Sequence, residues 1–268
     1  MSALQAVLFD LDGTLIDTAG DLLGALDDLR AELGLAACAA TLPPAVAARG
    51  GRGIISLGFP EDPQAADRYL PRYLELYRLR IAKLSRPYAG IESMLQALHE
   101  RGIALGIVTN KPEGLARDLL AELSWECRSQ ESGAPAPLPR EGGAPAPLMF
   151  AEPARSPSGP EPPSRRLALP GAHALVLVGG DTLPVRKPAP DPIWLACKLL
   201  DVDPVRSIMV GDDRRDIASG RAAGCALSIA VSYGYIENPA ELASWKADHI
   251  VDTPEALAEL LLALTQSQ

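Results

Sequence analysis

The chain has 268 residues, 25 Lys and Arg against 34 Asp and Glu, and a formal charge of −9. A content of 47% hydrophobic and 22% charged residues is globular, which excludes wholesale disorder and collagen-like structure. The acidic balance argues against a nucleic-acid surface, and no apolar run approaches the ~20 residues of a membrane span.

Met1 to Leu4 lead almost directly into an apolar run without a basic region or cleavage pattern, so no signal peptide is expected. The cysteines (38, 127, 197 and 225) stand alone without CxxC spacing, as reduced thiols of a cytoplasmic protein do. Residues 4–9, 103–108, 174–178, 207–211 and 227–231 are near-continuous apolar runs, the pattern of strands buried on both faces of a parallel sheet.

Helical patterns lie between these strands, over 91–101, 113–123, about 192–200 and about 214–223. Asp191 before Pro192 is read as the N-cap of the third, and Gly224 as the terminator of the fourth. The alternation predicts an α/β fold with a doubly wound parallel sheet. Residues 17–85 interrupt it with helix-like patterns and no strand, and are expected to form a small helical domain inserted into a core of residues 1–16 and 86–268. Residues 125–172 interrupt it again. They hold 11 of the 25 prolines, and Gly133–Leu138 (GAPAPL) recurs as Gly143–Leu148. Proline removes backbone donors and large apolar groups are few, so this stretch is expected to be a disordered or polyproline-like surface loop away from the chemistry.

Four polar signals fall at C-terminal strand ends, where open α/β sheets bind ligands. Asp10-Leu-Asp12-Gly-Thr14 follows the first strand; residues two apart on an extended chain point the same way, so its two carboxylates converge. Thr109-Asn110 ends the second strand, offering a hydroxyl and a helix start to a phosphate. Lys187 follows the third, and Gly211-Asp212-Asp213-Arg-Arg-Asp216 ends the fourth. Each alone reads equally well as a cap, a turn or a surface charge; all four on one rim describe phosphoryl transfer. Asp10, Asp12 and Asp212 are hard oxygen ligands suited to Mg²⁺, which keeps several waters and also takes phosphate oxygens. With Lys187 and a metal neutralising charge, Asp10 is placed to attack an anionic phosphate ester. Asp12 is placed to protonate the leaving alkoxide and then to deprotonate water.

At these residues the chain resembles the haloacid-dehalogenase-like hydrolase superfamily, in its phosphatase branch with a helical cap after the first motif. DLDGT (10–14), IVTN (107–110), Lys187 in RKP and GDDRRD (211–216) stand in the family's order. The resemblance implies a modified Rossmann fold, Mg²⁺ dependence, an aspartyl-phosphate at Asp10 and the acid–base role at Asp12. It also implies a metal held by the Asp10 carboxylate, the Asp12 backbone carbonyl and Asp212. Thr109, Asn110 and Lys187 would contact phosphate, while Asp213 and Asp216 would orient the metal shell and Lys187.

Within the superfamily the chain looks most like phosphoglycolate phosphatases, through Tyr88–Ile91, Val108–Pro112, Gly180–Pro184 and Tyr233–Ile236. The last three stretches also resemble N-acetylmuramic acid 6-phosphate phosphatases. Arg49-Gly-Gly-Arg52-Gly lies where relatives close over substrate, so Arg49 or Arg52 is a candidate partner for a glycolate carboxylate. Asp12 argues against a dehalogenase, which protonates no alkoxide, and a hexose-phosphate mutase would need relay groups in the cap. The readings of another class are a non-catalytic phospho-acceptor and a protein binding partners through its Pro-rich loop. The partner expected is a small phosphorylated metabolite, with neither nucleic acid nor membrane, for a monomer or homodimer.

Overall fold

The structure, a computed structural model, describes residues 4–123, 166–169 and 173–266, with 166–169 and 173–174 described by their backbone alone. In chain order the elements are β1 (Ala6–Phe9), β2 (Ile16–Asp17), α1 (Ala19–Glu32), α2 (Gly50–Gly58), α3 (Ala65–Arg80), β3 (Arg86–Pro87), α4 (Ile91–Glu100), β4 (Ala104–Val108) and α5 (Glu113–Glu122). They continue with β5 (Arg166–Leu169), β6 (His173–Val178), α6 (Asp191–Leu200), β7 (Ser207–Gly211), α7 (Arg214–Ala223), β8 (Leu227–Val231), β9 (His249–Val251) and α8 (Pro254–Leu264).

Six parallel strands form the sheet in the order β6-β4-β1-β7-β8-β9, and β5 adds an antiparallel edge beside β6. The chain thus has the α/β doubly wound architecture. Strand periodicity sorts the core into two layers. Val7 and Phe9 face a cluster with Ile91, Leu95, Leu119 and Leu257, while Leu8 joins Val108, Val176 and Ile193 on the other side. Burial on both faces is why these strands read as unbroken apolar runs.

β2 and β3 pair antiparallel, bringing the two ends of residues 18–85 together. Between them α1, α2 and α3 pack on one another. The buried Asp21 carboxylate accepts from the backbone of Leu84 and Ser85 and from the Ser85 hydroxyl at 2.6–3.1 Å, tying the start of α1 to the end of the segment. Tyr73 donates to the Leu22 carbonyl at 2.9 Å, fixing α3 against α1.

The structure departs from the sequence expectation at β5, at the start of α6 and at β9, and adds β2, β3 and α8, which no pattern above marked. Arg166–Leu169, placed above in a loop without structure, form β5 against His173–Val176, because a four-residue run needs only a strand edge to pair with. The remainder of 125–172 lies outside the described residues. α6 begins at Asp191 rather than after it, with Pro192 in the first turn, a one-residue shift of the helix start. β9 was not anticipated: His249 and Ile250 are exposed, so its three residues carry little apolar signal. Among the described residues no helix is long and apolar enough to cross a membrane.

Candidate active site

Register places the polar signals together. Phe9 pairs with Ile107 on one side and Val210 on the other, so β1, β4 and β7 end level and release Asp10, Thr109 and Asp212 at the same rim. The chain turns sharply after β1 because Gly13 has φ +82°. A Cβ at that position would lie 2.1 Å from Asp212 Oδ2, so glycine also lets the first loop touch the end of β7.

Lys187 is the centre of one group. Its ammonium, 1% exposed, lies 2.9 Å from Asp10 Oδ1 and 2.7 Å from Asp216 Oδ1, and donates to the Val108 carbonyl. Burial pushes the lysine pKa down, but the fields of Asp10 and Asp216 outweigh it and hold the value above the ordinary one, so the group is charged. Asn110 donates from Nδ2 to the Lys187 carbonyl at 3.0 Å, which fixes the loop carrying the lysine. Its Oδ1 is buried without a partner, and as an acceptor it is unsuited to a phosphate. Asp213 caps α7 by accepting from Arg215 N at 2.7 Å, and Asp216 accepts from Asp213 N at 3.0 Å.

Asp12 belongs to a second group. It faces the same cavity as Asp10, but its Oδ1 accepts from Thr18 Oγ1 at 2.6 Å and from Lys111 Nζ at 2.9 Å. The backbone bends at Leu11, so alternation along an extended strand does not carry through to residue 12. Lys111 is buried, and its ammonium also lies 4.4 Å from the centre of the Tyr77 ring on α3. Burial alone would lower its pKa; Asp12 and Tyr77 reverse that and raise it.

Oxygens of Asp10, Asp212 and Asp216 lie within 4.8 Å of one another, a trio of hard ligands of which Asp10 and Asp212 line the cavity. Asp12 contributes no carboxylate oxygen to it, and the third carboxylate, that of Asp216, is the one also paired with Lys187. Desolvation first, then the charges of Asp10 and Asp216, push Asp212 well above the usual carboxylate range despite hydrogen bonds from Tyr235 N and Thr14. Asp216 is pushed up to about 7 by burial and by Asp10 and Asp213, against the pull of Lys187. Buried carboxylates in excess over one lysine are a site that a divalent cation fits. The Asp10 Oδ1 ion pair with Lys187 lacks hydrogen-bond geometry, and among the described residues no other donor reaches that buried oxygen.

The cavity above these groups has a volume of about 380 Å³ and is walled by Asp10, Asp12, Thr109 and Asn110 on the sheet side and by Arg49, Arg52, Leu70 and Leu74 on the helical side. Thr109 is buried, and its Oγ1 accepts from Lys111 N at 3.2 Å. Arg52 is exposed and ion-paired with Asp67; Arg49 is paired with Glu237. Two residues without an assigned role in the sequence reading matter here. Lys111 directly follows Thr109-Asn110 and carried the signal of its loop, but nothing local reveals the Tyr77 face that covers it. Tyr235, quoted above only as part of a motif, accepts at its hydroxyl from Thr18 N and from Ala19 N (2.8 Å) and donates to Asp17 (2.9 Å), joining the rim to the base of the helical segment.

Known proteins match the chain in sequence and in fold. The family model described as haloacid dehalogenase-like hydrolase matches residues 7–128, and a second, HAD-hydrolase-like, matches 184–257. A phosphoglycolate phosphatase of Xylella fastidiosa is 35% identical over 255 residues, covering 95% of this chain and 91% of the relative. An N-acetylmuramic acid 6-phosphate phosphatase of Pseudomonas aeruginosa is 35% identical over 260 residues, covering 96% and 95%. In fold the chain is similar to a predicted phosphoglycolate phosphatase from Haemophilus somnus (TM-score 0.69, 21% identity, 99% and 100% covered). It is also similar to a HAD-superfamily hydrolase of subfamily IA from Geobacter sulfurreducens (TM-score 0.61, 15% identity, 99% and 98% covered). With both aspartates of the first loop, the buried lysine and the acidic end of β7 on one rim, and with relatives matched along nearly their whole length, the chain belongs to the haloacid dehalogenase-like hydrolases.

Proposed function

We propose that this hydrolase is a Mg²⁺-dependent phosphatase of small phosphate monoesters, with 2-phosphoglycolate as its substrate. The observation that carries the reading is the unequal partnering of two carboxylates on one cavity: Asp10 on a buried lysine and the acidic trio, Asp12 on Lys111 and Thr18.

Asp10 Oδ attacks phosphorus as the ester P–O bond breaks, and an aspartyl-phosphate forms. Asp12 gives the departing alkoxide its proton, then takes one from the water that cleaves the acyl-phosphate, returning Asp10 and releasing inorganic phosphate. Lys187 offsets the charge of Asp10 and Asp216, which lets an anionic nucleophile meet an anionic ester. Thr109 lies in the phosphate's part of the cavity, and Asn110 acts by holding the Lys187 loop. Asp10, Asp212 and the backbone of residue 12 would hold Mg²⁺, with Asp213 and Asp216 orienting the shell; when bound, the ion supplies charge neutralisation at the phosphoryl oxygens. Residues 17–85 would act as the cap, and Arg49 and Arg52 stand on its side of the cavity.

The printed names of several relatives support 2-phosphoglycolate. The Pseudomonas relative, equally similar over as much of the chain, supports N-acetylmuramic acid 6-phosphate as a second reading. The test is hydrolysis of p-nitrophenyl phosphate by wild type and Asp10→Asn, with Mg²⁺ and after chelation, followed by a turnover comparison of the two esters. Loss of activity in the variant and after chelation is expected. Activity that survives Asp10→Asn would overturn the mechanism, and preference for the muramic ester would replace the substrate.

A further inference from the structure

We infer that Arg186 binds a carboxylate on the substrate, separate from the phosphate that is removed, so that the cavity selects phosphate esters of carboxylic acids. The inference rests on the phosphatase reading above. Four arginines line the cavity, and three carry a carboxylate partner: Arg49 with Glu237, Arg52 with Asp67, and Arg215 with Asp213 at 2.8 Å. Arg186 has no ion pair and no side-chain hydrogen bond among the described residues, and it is exposed. It is the guanidinium of the cavity whose charge is left for a ligand.

Its backbone is nonetheless fixed. Ala189 N donates to the Arg186 carbonyl at 2.9 Å, and the next residue, Lys187, is held by Asp10, Asp216 and Asn110. Binding therefore orders only one side chain, which keeps the entropic cost small. A guanidinium offers a planar fork that takes a carboxylate through two parallel hydrogen bonds. Both esters considered above carry such a group, the acid of glycolate and the lactyl acid of the muramic sugar. A contact shared by both would serve either substrate. Arg49 and Arg52, the carboxylate partners suggested by sequence, would first have to give up Glu237 and Asp67.

The experiment measures competitive inhibition of p-nitrophenyl phosphate hydrolysis by phosphonoacetate and by ethylphosphonate, which share a two-carbon skeleton and differ in the carboxylate oxygens. In wild type phosphonoacetate should bind more tightly. In Arg186→Met its inhibition constant should rise about tenfold or more, the effect of losing a charge-assisted hydrogen-bonded pair. That of ethylphosphonate should stay within about twofold, since its phosphonate contacts are kept. Arg186→Lys, which keeps the charge and loses the fork, should fall between. An equal rise for both inhibitors would mean that Arg186 grips the phosphate, and no rise for either would make it a plain surface cation; both overturn the inference. These outcomes leave the phosphatase reading standing, whereas a wild type inert toward p-nitrophenyl phosphate would remove that reading and this inference together.

Discussion

The two aspartates of the first loop stand two residues apart, and each is met by a buried lysine, yet the two lysines belong to different parts of the molecule. Lys187 follows β6, and its partners Asp10 and Asp216 come from the ends of β1 and the start of α7, so everything that holds it is built by the sheet and its crossover helices. Lys111 follows β4, but its ammonium lies between Asp12 and the Tyr77 ring of α3. Asp10 is thus anchored by the core alone. Asp12 is held by Lys111 and Thr18, and Lys111 in turn packs against the Tyr77 ring of the helical segment.

The largest effect should come from the core lysine. Lys187→Met removes the counter-charge from two carboxylates, one of them Asp216 with a side chain 1% exposed. Breaking a buried pair from one side costs about 3–5 kcal/mol, because the desolvated charge remains. Urea unfolding of the variant should show that loss, and turnover of every ester should fall together. A variant as stable as wild type would mean that the acidic trio is neutralised without the lysine. Addition of Mg²⁺ should recover part of the loss by binding the folded trio, about 2.7 kcal/mol at a hundred times the dissociation constant.

The contrast between the lysines is also a contrast in legibility. Asp10, Thr109 and Asp212 were readable because each stands at the end of an apolar run, and Lys187 because it lies in the loop after another, and strand ends in a parallel sheet share a rim whatever the distance along the chain. Asp216 was readable as part of the same acidic turn, but its entry into the oxygen trio depends on how the capping of α7 turns its carboxylate. Lys111 was on the page as the residue after Thr109-Asn110, and what buries it comes from residue 77, in a segment whose placement no local pattern encodes. β5 and β9 escaped for another reason. Both are short edge elements whose pairing is decided by the neighbouring strand, not by their own side chains.

A smaller and more selective effect is expected at the second lysine. Lys111→Met would leave Thr18 as the side chain holding Asp12, and the carboxylate would sample more positions. Departure of an alkoxide needs a proton in place, and departure of p-nitrophenolate does not. The kcat/KM of ethyl phosphate, which reports the leaving-group step alone, should therefore fall by up to about 100-fold, the lower end of what a positioned acid contributes, and that of p-nitrophenyl phosphate by much less. Arginine at 111 should restore part of the difference. Equal losses on the two esters would mean that Lys111 only supports the packing between α3 and the core.

The smallest effect belongs to the exposed counterpart of these contacts, the Arg49–Glu237 pair that joins the helical side of the cavity to the loop after β8. Its side chains are 46% and 34% exposed, so solvent screens their attraction and Glu237→Gln should cost under about 1 kcal/mol. Arg49 lowers the Glu237 pKa by hydrogen bond and charge, against a small desolvation. The pair's contribution is therefore present above the ordinary glutamate value of 4.5 and lost as the pH falls through the lowered folded value. Melting curves of wild type and Glu237→Gln should differ slightly at neutral pH and converge in acid, and also converge in high salt. A large difference that salt did not remove would mean that this clasp, and not the buried Lys111–Tyr77 contact, seats the helical segment over the cavity.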